Sequence, residues 1–186
     1  ELKPYPLAKR IKVSNKLIRA SAMDAESLVR QRLAYKFGVT EEKVFLLGTG
    51  ANQPLGVFTA SNDGIPASRD VVTGAATGFT FDGIYDAKYA LKGAYWNRPG
   101  TAWGFHRDGL KLIAKLKDSQ NRYLWEPSQQ VGQPDRLIGV PVFMSEFFPN
   151  TFTTGQYVGM LADWSYYHIA DSLNFSIQRL TELYAE

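Results

Sequence analysis

Leu28, Val29, Leu33 and Phe37 recur at the spacing of one helix face, and Asp24 stands just ahead of them as a good N-cap. Arg30, Arg32 and Lys36 fall largely on the opposite side. An amphipathic helix over Ala25 to Phe37 must lay its apolar stripe on another layer, which restricts the chain to packed architectures. Gly38 weakens the helix by about 1 kcal/mol relative to Ala. Thr40 can cap a restart, with Glu41 and Glu42 placed well near a new helix N-terminus. One long helix kinked at Gly38, or two helices end to end, both satisfy this pattern.

The flanking segments supply strands and further helices in irregular alternation. Leu7 to Val13 reads as a strand with basic residues on one side, and Ser14 can cap a short turn through Leu17 and Ile18. Gly48 to Gly56 is a glycine-rich loop; Thr59 to Gly78 is loop or hairpin, with a turn signal at Asn62-Asp63-Gly64. Asp82 can cap a helix through about Tyr95, with Ile84, Ala87, Leu91 and Tyr95 on one face. Ala102 to Phe105 is a short strand, and a third helix runs from about Asp108 to Leu116. After a polar loop at Pro127 to Asp135, Leu137 to Met144 reads as a buried strand with a turn at Gly139 to Pro141. Tyr157 to Ala162 is another strand. Leu173, Phe175 and Ile177 alternate with Asn174, Ser176 and Gln178, giving a half-exposed last strand that needs a partner. The class is α+β.

Composition narrows the function. Of the 186 residues, 45% are hydrophobic and 21% charged, so a globular core is expected and disorder is not. A net charge of +3 gives no global pull toward nucleic acid. With no cysteine there are no disulfides, thiolate metal sites or thiol nucleophiles. No apolar run approaches the ~20 residues that cross a bilayer, so no membrane partner is expected. The start, Glu1-Leu2-Lys3-Pro4, is neither an initiator methionine nor a signal peptide, and the chain reads as a piece of something longer.

Candidate chemistry is thin. Gly48-Thr49-Gly50-Ala51-Asn52-Gln53 opens like a phosphate-cradling loop, but Gln53 replaces the third glycine, no Gly-Lys-Ser/Thr follows, and Pro54 removes a backbone donor. It reads as a structural turn. His106 and His168 lie far apart, without the spacing of a zinc site, and read as packing or surface residues. No Gly-x-Ser-x-Gly elbow is present. Lys9, Arg10, Lys12, Lys16 and Arg19 form a basic cluster that reads as a solvated side or a protein contact, since no aromatic platform is interleaved with it. Asn174-Phe175-Ser176 matches a glycosylation sequon, read as chance without a secretory context. No catalytic, metal or cofactor-binding residue is therefore assigned. Of Trp96, Trp103, Trp125, Trp164, Tyr166 and Tyr167 most are expected in the core, and any left exposed would suit a subunit interface.

Several stretches, in order, resemble the major capsid protein family of tailed bacteriophages and prophages, whose fold is shared with encapsulins. Lys9 to Ile18 resembles the strand-to-turn segment after the family's extended loop, and Asp24 to Leu47 resembles its long spine helix. Phe45-Leu46-Leu47-Gly48-Thr49-Gly50 with Gln53-Pro54-Leu55-Gly56 resembles the glycine loop at the end of that helix. Leu116-Lys117-Asp118 and Arg122-Tyr123-Leu124-Trp125 resemble the turn after an axial-domain helix. Leu137-x-Gly139-x-Pro141-Val142 with Ser145 and Pro149 is the most specific match, and Ala162-Asp163-Trp164-Ser165 resembles the return into the peripheral domain. Gly38 departs from a usually unbroken spine helix; Asn121 and Ala162 stand where glycine is common.

The resemblance implies a peripheral domain, with the spine helix on a sheet, and an axial domain of mixed sheet and helices. The expected division is 1–79 peripheral, 80–162 axial and 163–186 a return to the peripheral part, with the N-terminal arm, extended loop and last strand lying outside this chain. It implies a shell subunit, not an enzyme, that self-assembles into pentamers and hexamers of an icosahedral capsid enclosing DNA without sequence-specific contact. Scaffold, portal and maturation protease are the further partners implied, with assembly in the bacterial cytoplasm and residence in the virion. An encapsulin shell is the alternative within the fold. A small nucleotide-binding enzyme using the Gly48–Gly56 loop is the alternative outside it.

Overall fold

The computed structural model describes residues 4–14, 16, 25–59, 61, 65–127 and 133–170. The expected turn through Leu17 and Ile18, the Asp24 cap, the Asn62-Asp63-Gly64 turn and the strand around Leu173 to Gln178 lie outside them. Three α-helices and two sheets make up the described residues, an α+β arrangement.

Helix α1, Ala25–Leu47, runs its 23 residues without a break. Gly38 does not interrupt it. Thr40 Oγ1 donates back to the Lys36 carbonyl at 2.7 Å, so its hydroxyl serves the helix interior and caps no restart. Glu41 and Glu42 accordingly sit in the second half of one helix, away from any N-terminus. Among the residues of α1 whose burial is described, only Leu33 and Leu46 are fully buried.

A two-residue hairpin follows, β1 at Gly74–Ala75 and β2 at Gly78–Phe79. Helix α2, Phe81–Ala90, starts two residues earlier than expected, because Thr80 Oγ1 accepts from the Gly83 N–H at 3.1 Å and takes the capping role assigned to Asp82. It also stops sooner. Leu91 is extended, and Gly93–Tyr95 forms a separate 3-10 turn. Strand β3, Thr101–Phe105, leads into helix α3, Arg107–Ala114. The strand expected over Leu137 to Met144 is a hairpin: β4 at Arg136–Leu137 and β5 at Val140–Met144. Ile138 and Gly139 both have positive φ, 50° and 79°, the mark of a two-residue I′-type connection. A β-branched residue in that conformation is strained. Ile138 is held there by partial packing on the core and by Lys88 Nζ, which donates to its carbonyl at 2.7 Å. Strand β6, Gly159–Asp163, is shifted two residues at its start from the expected position.

The main sheet has the order β4-β5-β3-β6. β3 is central, parallel to β5 (Trp103 beside Val142) and antiparallel to β6 (Trp103 beside Leu161). Leu7 to Val13, expected as a strand, forms no ladder and is largely exposed.

All five residues of β3 are buried. Their size alternates. Trp103 and Phe105 point to the face covered by α2, α3 and the small hairpin, where Ile113 and Leu137 are fully buried. Phe105 meets Phe79 edge-on with centroids 5.7 Å apart. The opposite face carries Ala102 and Gly104, leaving room for Phe148 and Trp164, whose Nε1 donates to the Ala102 carbonyl at 3.1 Å. Phe58 extends this second layer through an edge contact with Phe148 at 5.5 Å. The end of α1 is tied to the same region: Ser145 Oγ donates to Glu42 Oε1 at 2.5 Å and the Tyr167 hydroxyl to the Phe45 carbonyl at 3.2 Å.

A Cβ at Gly104 would press into the Phe148 ring and lie 3.1 Å from Trp164. Gly104→Val is therefore expected to lose about 1–3 kcal/mol by overpacking. Thermal unfolding followed by tryptophan fluorescence checks this; a melting temperature equal to the parent sequence would contradict the two-layer packing.

Candidate functional site

The glycine loop is the one segment whose sequence invited a ligand, and its surroundings decide the matter. Phosphate loops work at helix N-termini, where free N–H groups and the positive dipole end face the anion. Gly48 to Gly56 lies at the other end of a helix. It follows the C-terminus of α1, and the chain doubles back to supply donors to that helix's last carbonyls. Gly48 N–H bonds to Val44 O at 2.7 Å, Gly56 N–H to Gly48 O at 2.8 Å, and Val57 and Phe58 N–H to Phe45 and Leu46 O at 3.0 Å. Thr59 Oγ1 adds a bond to Gly48 O at 2.8 Å. Three of the helix's last carbonyls, with that of Gly48 just beyond them, are thus satisfied by the loop itself. Gly48 and Gly56 are buried, and a Cβ on either would strike backbone atoms of the other strand of the loop. Glycine is needed here for close approach of two backbones, and the local dipole repels anions.

His106 is buried and caps α3. Its Nδ1 accepts from the Asp108 N–H at 3.1 Å, and its Nε2 stands 3.3 Å from Glu146 Oε2. Arg107 Nε stands 3.4 Å from the same carboxylate oxygen. The histidine is thus occupied in fixing a helix start against the loop after β5. His168 is exposed. Among the described residues no group of three or more His, Asp or Glu could hold a metal ion, and no helix is long and apolar enough to cross a membrane. Lys9, Arg10, Lys12 and Lys16 are exposed, and Arg19 lies outside the described residues.

An open cavity of about 990 Å³ lies between β6 and residues 69–79, lined mainly by apolar groups such as Val71, Ile84 and Leu161. At its rim Asp163 caps the turn at Trp164–Tyr166: its Oδ1 accepts from the Ser165 N–H at 3.1 Å and from Ser165 Oγ at 2.6 Å. Arg98 Nε stands 3.5 Å from Oδ2, and Arg98 also donates to the Tyr166 hydroxyl. That hydrogen bond, with the neighbouring Asp163 charge, raises the Arg98 pKa further. The cluster locks the segment after β6 onto residues 98–100. Nothing in the sequence marked it, because its members lie far apart along the chain.

One surface turn is built to higher order than its neighbours. Lys117 and Tyr123 form a bridge, with Asn121 at φ 64° in the turn between them. Asp118 holds that turn: Oδ1 accepts from the Gln120 and Arg122 N–H groups at 2.8 and 2.9 Å, and Oδ2 from Arg122 Nε at 2.9 Å. The Arg122 backbone bond, foremost, pulls the Asp118 carboxyl below its ordinary value. Asn121, where glycine is common in the resembled family, fits because asparagine tolerates the left-handed region.

Among the described residues the arrangement is one of anchored turns, helix ends and surfaces. The phage capsid family model matches residues 1–186 in full, and the chain belongs to the phage capsid family. Two solved structures similar to it are the capsid of an empty GTA (gene transfer agent) particle and the capsid of a native GTA particle, both computed with C5 symmetry. Each is 30% identical with a TM-score of 0.67, over 81% of this chain and 53% of the solved one. The chain thus spans about half the length of the capsid chains it matches. No curated protein matches it significantly.

Because the folded pKa of Asp118 is depressed, its contribution to the turn is present above the ordinary carboxylate pKa and fades as pH falls through the lower folded value. Asp118→Asn should abolish that acid dependence and speed exchange of the Gln120 and Arg122 amides several-fold, read by hydrogen-exchange NMR. Unchanged exchange would show that the carboxylate does not hold the turn. Gly48→Ala should lower the melting temperature, while calorimetry finds no nucleotide binding to either form; measurable nucleotide affinity in the unsubstituted chain would restore the phosphate-loop reading.

Proposed function

We propose that the protein from which this chain comes is the shell-building subunit of a phage-like capsid, acting through subunit contacts and not through an active site. The observation that carries this is the family match over the entire chain together with capsid structures at 30% identity and a TM-score of 0.67. Capsid-family membership supports self-association into capsomers, here read as pentamers and hexamers that close into an icosahedral shell around DNA. Scaffold, portal and maturation protease are partners of the same reading, with residence in the virion and assembly in the host cytoplasm.

The division into parts belongs to this proposal. Residues 1–79 and 163–186 would form the peripheral part and 80–162 the axial part. The contact of Glu42 with Ser145 would then join the two, and that of Phe45 with Tyr167 would tie the two peripheral segments together. The nucleotide-enzyme alternative loses its support with the glycine loop at a helix C-terminus. The encapsulin alternative has no observation of its own in its favour.

Shell closure depends on many modest contacts repeated by symmetry. The test is to express the full-length parent protein and image it by negative-stain electron microscopy. Rings or uniform closed particles are expected from the parent. The 186-residue chain alone is expected to fold without closing shells, and closed particles from it would refute that part. A parent that stays monomeric or dimeric in every condition would overturn the shell-subunit reading.

A further inference from the structure

Two surface patches match each other. The outward face of α2 carries Asp82, Tyr85, Asp86 and Tyr89, all exposed, at helix positions i, i+3, i+4 and i+7. Tyr85 and Tyr89 stack with their planes 13° apart, and Tyr89 meets Trp96 edge-on at 5.2 Å. Neither Asp82 nor Asp86 has an ion pair among the described residues, since the helix's own Lys88 is turned to the Ile138 carbonyl and the Trp96 ring. The second patch is the end of α3 with the turn that Asp118 holds. There Tyr123 and Leu124 are exposed beside Lys111, Lys115, Lys117 and Arg122. Arg122 is matched by Asp118, but the lysines leave the patch positive, and Lys117 lies over the Tyr123 ring at 4.7 Å.

We propose that these patches are the two halves of a head-to-tail contact between copies of this chain: the basic turn at 115–124 of one copy docks on the acidic tyrosine stripe of α2 in the next. The inference rests on the shell-subunit reading and names a surface for it. Charge selects the geometry. An α2 stripe facing its own copy would set four carboxylates together, and two basic turns would repel likewise, so a two-fold contact of either patch is disfavoured. A contact between different patches propagates from copy to copy and closes into a ring when its rotation permits. Tyrosines are enriched at protein interfaces, where they bring large contact area with a polar tip. The turn is held rigid by Asp118, so docking orders little that is loose.

The experiment uses the full-length parent and compares ring formation by sedimentation and electron microscopy. Asp86→Lys and Lys115→Glu should each lower the fraction in rings by roughly tenfold at fixed concentration, by placing like charges together. The doubly reversed Asp86→Lys/Lys115→Glu protein should regain most of that loss. Circular dichroism and melting of each variant confirm that these exposed changes leave the fold intact. A second arm leaves the charges alone. These 186 residues contain no cysteine, so Ala90→Cys with Gln120→Cys, treated with a short bis-maleimide, should give a ladder of covalent oligomers from intact rings, with either single variant giving none beyond background. Rings unaffected by both reversals, or intact rings without cross-links, overturn the contact while the shell reading stands. A parent that never forms rings removes the shell reading and the contact with it.

Discussion

The double burial of β3 is the constraint from which the rest of the described structure follows. A five-residue strand covered on both sides must pair its backbone on both edges and fill two unequal spaces with alternate side chains. Trp103 and Phe105 fill the deeper one, and Ala102 and Gly104 leave the other open for Phe148 and Trp164. Each choice fixes a neighbour. Trp103 Nε1 needs an acceptor in that apolar setting and finds the Leu137 carbonyl at 3.1 Å, which seats β4 beside β5. Trp164 finds the Ala102 carbonyl in the same way on the other face. The indole donors thus act as pins through a sheet that would otherwise be held by ladder bonds and packing alone.

On the shell-subunit reading, function resides in what such a scaffold presents. The segments that hold it together use up the polar groups that looked like chemistry. His106 is spent on a helix start and the glycine loop on the carbonyl end of α1. Membership of the phage capsid family accounts for a chain that has well-anchored surfaces and few convergent polar groups. The long helix fits the same picture, since α1 shows so little buried surface for its length.

Much of this was legible in the residues. The α+β class, the glycine turn as a structural feature, the strand at Ala102 to Phe105 and the helix read from about Asp108 follow from the pattern of apolar and turn residues. The errors have physical causes. Thr40 looked like a cap, but a threonine hydroxyl inside a helix can bond back to the carbonyl four residues earlier. Thr80 and Asp82 are both good caps, and local sequence does not say which backbone amide will lie in reach. The turn expected at Gly139 to Pro141 falls one residue earlier, at Ile138-Gly139, because a β-branched residue is a poor marker for positive φ, and core packing with the Lys88 contact makes it tolerable. The Arg98–Asp163–Tyr166 cluster gave no signal at all, being assembled only by the sheet. The acidic tyrosine stripe of α2 stands at helical spacing on the side opposite the apolar face.

The order of the sheet also carries a consequence for synthesis. β3 emerges from the ribosome before either of its neighbours, and the antiparallel one, β6, is complete only at Asp163. Until then Trp103 and Phe105 have no finished layer to enter, so the nascent chain holds its most adhesive strand in waiting while the rest is translated. A subunit made in large numbers at once, with that strand uncovered in each copy, would depend on how quickly the last third of the chain arrives.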